Sequence, residues 1–172
     1  MPFRQGDRQR NGVWLGWNAE DNENDDRFYE ITLPTDSLSG RTLHLELMQM
    51  DQDPPGYEEH DSGLRPAADF IVEFEDAAGQ TIQHRITEFG EILPPLPAIH
   101  IRDDKLFGLF KMKSMMPNVF GQHQVTEPVM QTISISLEAA TEGTINIDEI
   151  RIIRLIFDRG AAVIMLDEVS VS

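Results

Sequence analysis

VMQTISISL (129–137), INIDEIRIIRLIF (145–157) and AAVIMLDEVSVS (161–172) decide the fold. In the first, Ile133, Ile135 and Leu137 alternate with polar residues, the two-residue period of a strand with one face in a core. The second is more continuously apolar, as expected of a central strand whose other face is partly covered. Asp158-Arg159-Gly160 then turns the chain into the third. No window of the sequence carries a helical stripe with caps.

Working outward, the same period recurs. In GVWLGW (12–17), Val13, Leu15 and Trp17 point one way while Trp14, between Gly12 and Gly16, lies on the other face. Residues 27–33 place Tyr29, Ile31 and Leu33 inward before Pro34 stops the strand. RTLHLELMQM (41–50) sets Leu43, Leu45 and Leu47 against His44, Glu46 and Met48. ADFIVEFE (68–75) turns Phe70, Val72 and Phe74 inward, and QTIQHRI (80–86) aligns Ile82, His84 and Ile86. Between these two, Gly79 can take the left-handed conformation a tight hairpin needs. The count reaches eight strands, which predicts one all-β domain over 1–172. Its expected form is a two-sheet antiparallel jelly-roll β-sandwich with a long non-strand insertion at about 88–127; a closed barrel is the alternative closure.

Composition agrees with a globular chain. A polypeptide of 172 residues buries roughly two thirds of its unfolded surface. Hydrophobic residues make up 40% and charged residues 26%, an ordinary soluble balance. Lys plus Arg number 14 against 30 Asp plus Glu, a formal net charge of −16, which argues against nucleic acid and anionic membrane surfaces as partners. There is no cysteine, so disulfides and thiol chemistry are excluded. No run approaches the roughly 20 apolar residues of a membrane span. The polar start MPFRQGDRQR lacks a signal-peptide core, so export would make this chain a mature or excised piece.

Strict antiparallel succession sorts the loops by parity: those after odd-numbered strands share one end of the sandwich. The long ones gather there, namely 18–26, 51–66 and 88–127, together with the Asp158-Arg159-Gly160 turn. Loops of this length are usually functional or disordered, so that end is where a binding site is expected.

Several constellations could supply chemistry. Asp21, Glu23 and Asp25 alternate in DNENDD, and Asp51 and Asp53 repeat the spacing; carboxylates so placed can converge on Ca²⁺, although a solvated acidic loop is the better explanation and no EF-hand pattern is present. LFGLFKMKSMMPNVFG (106–121) gathers Phe107, Phe110, Met112, Met115, Met116 and Phe120, a pliable apolar set that either closes over the core or docks a partner. Trp14, Tyr57 and His60 are the candidates for contacting a sugar ring. The five histidines have no metal-type spacing, and no nucleophile elbow or phosphate loop occurs. A non-enzymatic chain is expected.

The last third, with a strand of the form I-x-x-I-x-x-x-F leading through a turn to L-D-[DE]-[IV], resembles the final strands of galactose-binding-like jelly rolls. The strands GVWLGW and FYEITLP and the hairpin DFIVEFEDAAGQ also look like such domains appended to secreted bacterial hydrolases. The resemblance implies a carbohydrate-binding-module-like accessory domain of a larger exported enzyme, extracellular, with carbohydrate or an adjacent catalytic domain as partner. It further implies a structural Ca²⁺ on Asp167, with Asp7 and the Gly6 carbonyl as N-terminal partners.

Overall fold

The computed structural model describes residues 2–5, 8–18, 27–33, 38, 40–51, 66–97, 126–141 and 143–172. Twelve strands occur among them: β1 (Pro2–Gln5), β2 (Arg8–Asn11), β3 (Val13–Asn18), β4 (Phe28–Thr32), β5 (Thr42–Gln49), β6 (Ile71–Asp76), β7 (Thr81–Arg85), β8 (Leu96–Pro97), β9 (Thr126–Glu127), β10 (Gln131–Ser136), β11 (Ile150–Ile156) and β12 (Ala161–Val171). A short helix, α1 (Leu137–Thr141), follows β10. Eight of the strands form two four-stranded antiparallel sheets, β10-β5-β12-β3 and β4-β11-β6-β7. Numbering those eight in chain order gives 6-3-8-1 facing 2-7-4-5, the double Greek key of a jelly roll.

The predicted alternation is what closes the sandwich. Leu43, Leu45, Leu47, Ile133, Ile135 and Ile164 from one sheet meet Val72, Phe74, Ile153 and Leu155 from the other in a single buried cluster. Each such side chain contributes about 1.5–3 kcal/mol by leaving water. Two bulges adjust the pattern. Leu166 faces Leu47 and Glu168 faces Glu46, so Asp167 is an extra residue in β12. Inward parity therefore passes from Ala162, Ile164 and Leu166 to Val169 and Val171. In β11 the register slips in the same way between Ile150 and Ile152.

The structure amends the expected pattern in four places. The hairpin β1–β2 precedes the first predicted strand, and the pair β8–β9 stands within the segment expected to be free of strand. The strand predicted to reach Leu137 ends at Ser136, because Leu137 begins α1. Residues 147–149, read as strand, form a 3-10 turn in which the Asn146 side chain accepts a hydrogen bond from the Asp148 amide.

The β6–β7 hairpin turns as expected on Gly79, at φ +77°. Asp76 organises it by accepting the Ala78 and Gln80 amides, each at 2.9 Å. The hydrogen bond from Gln80, aided by that from Ala78, holds its carboxyl below the ordinary value of 3.8 despite opposing burial. The stability this supplies is complete above the ordinary carboxylate range and is lost as pH falls through the depressed value. Asp76→Asn is therefore expected to flatten the acid side of a stability-against-pH curve. An unchanged acid slope in urea titrations would refute that role.

Across the outer face of the first sheet runs a second apolar row. Trp14 pairs with Met165, which pairs with Met48. Met165 and Met48 are 0% and 1% exposed, and Met50, Val163 and Met130 extend the cluster. Gly12 is needed beside it, since a Cβ there would lie 2.6 Å from the Met165 Cγ and 3.2 Å from the Leu166 carbonyl oxygen. On the outer face of the second sheet the row is polar: Glu30, Arg154, Glu73 and Gln83 lie side by side on β4, β11, β6 and β7.

Candidate functional site

Topology brings the ends of β3, β7 and β11 and the starts of β6 and β12 to one end of the sandwich, the end that strand parity marked. Three aromatic rings form its floor. Trp17 stacks on Phe157 with centroids 4.5 Å apart, and Phe70 meets both edge-on, at 6.4 Å and 5.7 Å. The Trp17 indole Nε1 donates to the Arg159 carbonyl at 3.0 Å, which ties the floor to the β11–β12 turn.

Above Trp17 lies an open cleft of about 370 Å³, walled by Pro66–Asp69 on one side and Arg159–Ala162 on the other. Gln49 fixes the first wall. It sits at an inward position of β5, 1% exposed, donates to the Pro66 carbonyl at 2.9 Å and accepts the Ala68 amide at 2.8 Å. A buried amide so bonded holds an otherwise irregular segment against the core.

Charge is concentrated at the cleft's edge. Arg159 Nη2 pairs with Asp69 Oδ2 across the walls. Arg85, at the end of β7, holds Asp158 through Nη1 and Nη2, with Nη1 2.7 Å from Oδ1, and its Nη1 lies 3.6 Å from Asp69 Oδ2. The Asp69 side chain is 13% exposed and that of Arg159 is 59% exposed. The second carboxylate oxygen, Asp69 Oδ1, is buried and has no hydrogen-bond partner among the described residues. A buried acceptor left in that condition costs about 1–3 kcal/mol. The cleft's edge thus joins an anchored carboxylate to an exposed guanidinium.

Of the residues singled out in the sequence, Trp14 is half-buried against the methionine row, and its indole Nε1 is buried without a partner among the described residues. Asp167 is half-buried at the β12 bulge. Tyr57, His60, Asp7, Asp21, Glu23 and Asp25 lie outside the described residues, as do Phe107, Phe110, Met112, Met115, Met116 and Phe120. No group of three or more His, Cys, Asp or Glu side chains suited to a metal ion occurs among the described residues. No helix among them is long and apolar enough to cross a membrane.

Sequence reading placed Asp158 and Arg159 in a turn at this end but singled out none of Asp69, Arg85, Asp158 or Arg159 as a site residue. Their signal was parity alone: each stands at a strand boundary on the same end, yet nothing in the spacing pairs them. No family model, curated protein or solved structure matches the chain.

Proposed function

We propose that this chain is a non-catalytic binding domain of carbohydrate-binding-module type, serving as an accessory unit of a larger exported hydrolase. The observation that carries the reading is the cleft over Trp17, where the Asp69–Arg159 ion pair sets a carboxylate beside a largely exposed guanidinium. Neighbouring hydroxyls of a sugar each give and take a hydrogen bond, and a carboxylate beside a guanidinium answers both. The Trp17 ring is 5% exposed, so it shapes the cleft from below and recognition falls to the polar rim. The fold supports the reading as well, since a rigid sandwich presenting its loops at one end is a common platform for binding.

Isothermal titration of soluble oligosaccharides into the intact chain tests it. Binding is expected, with Arg159→Ala weakening it about tenfold, the loss of one charge-assisted hydrogen bond. Arg159 is 59% exposed and Arg85 remains 3.6 Å from the same Asp69 oxygen, so the variant should melt close to the parent. Absence of heat with every glycan at about 10 mM, a range in which weak binders are still detected, would overturn the proposal.

A further inference from the structure

Residues 93–97 read Leu-Pro-Pro-Leu-Pro. Proline fixes φ near −65° and drives the residue before it out of the helical region, so each of these positions either is proline or precedes one. Both constraints favour an extended backbone of the polyproline II kind, three residues per turn, leading into Leu96–Pro97, which pair as β8. Burial follows that period. Ile92 and Pro95 face the protein, Ile92 at 0% exposure, whereas Leu93 and Leu96 stand out at 46% and 54%. Both ends are held in place: the Leu93 amide donates to Gln131 Oε1 at 3.1 Å, and Leu96 pairs with Glu127 in the β8–β9 ladder.

We infer that Leu93–Pro97 is a recognition ridge for a polyproline-reading groove on another protein, with an aromatic floor and a basic rim. An extended ridge with two apolar side chains three residues apart is what such grooves accept, since their aromatic rings receive the apolar edges. Tethering at both ends means that little conformational freedom is lost on docking, which spares an entropic cost that loose proline-rich ligands bear. The charge of the rim follows from the flanks. Glu91 and Glu127 are exposed on either side of the ridge, on a chain of net charge −16. The inference stands apart from the carbohydrate reading, because the ridge lines no part of the cleft.

The test is surface plasmon resonance of the full chain over immobilised SH3 and WW domains, chosen with basic and with acidic groove rims. Binding is expected on basic-rimmed domains and should weaken as salt rises through the Debye regime. Leu93→Asp combined with Leu96→Asp should reduce it about 100-fold, each leucine being worth at least a factor of ten when buried. Leu93→Asn with Leu96→Asn, which adds no charge, should give a comparable loss at an unchanged melting temperature. No binding to any domain at about 1 mM, or equal binding by the doubly substituted chains, would overturn the inference and leave the segment as a rigid connector.

Discussion

Phe70→Ala should unfold this protein at markedly lower urea, with a loss of about 3–5 kcal/mol. Phe70 is fully buried, and its ring is the edge partner of both Trp17 and Phe157. Removing it opens a void where the two sheets meet beneath the cleft, and close-packed neighbours relax into such a void only in part. Domains are stable by about 5–15 kcal/mol, so the variant should sit near its threshold at 25 °C. Equilibrium urea unfolding measures the change, and the Trp17 contribution to near-ultraviolet circular dichroism should collapse with it. A loss under about 1 kcal/mol would mean that this aromatic triad is not the keystone of the packing.

The second large effect belongs to Arg154. Its Nε lies 2.9 Å from Glu30 Oε2, its Nη1 2.9 Å from Glu73 Oε1, and Glu75 pairs with the same Nη1. The hydrogen bonds to Glu73 and Glu30 hold the guanidinium more firmly protonated than usual. Glu73 is 8% exposed and also accepts from Gln83 Nε2 at 2.6 Å, so it cannot turn to solvent without breaking the row. Arg154→Ala leaves three carboxylates, Glu30 on β4 and Glu73 and Glu75 on β6, facing one another across β11. Breaking a fully buried pair costs about 3–5 kcal/mol; with the arginine side chain 23% exposed, about 2–3 kcal/mol is expected here. Added salt should recover part of the deficit, and Arg154→Ala with Glu73→Gln should be less destabilised than the single variant. Additive losses in that double-variant cycle would rule out the coupling.

The eight sheet strands were legible because their inward residues repeat every second position, and antiparallel succession then fixed which loops share an end. What escaped had no such signature. PFRQ and RQRN contain too little apolar alternation to announce β1 and β2. A two-residue ladder such as β8–β9 is shorter than any period. The cleft was legible in position and illegible in content: parity placed the segments before β6 and after β11 together, whereas the Asp69–Arg159 pairing depends on distances that strand order does not encode. Gln49 was the one polar hint, since it occupies an inward position in line with Leu43, Leu45 and Leu47, and a glutamine in a core requires partners.

The supernumerary residue at 167 gives β12 an arithmetic of its own. Deleting the residue would restore an unbroken alternation in which Val169 and Val171 still face the interior, whereas keeping it and flattening the bulge would drive Glu168 and Ser170 toward the oily side. The final strand should therefore tolerate the loss of residue 167 better than the loss of a residue from its regular stretch 161–165, where every remaining side chain on one side of the gap would change face.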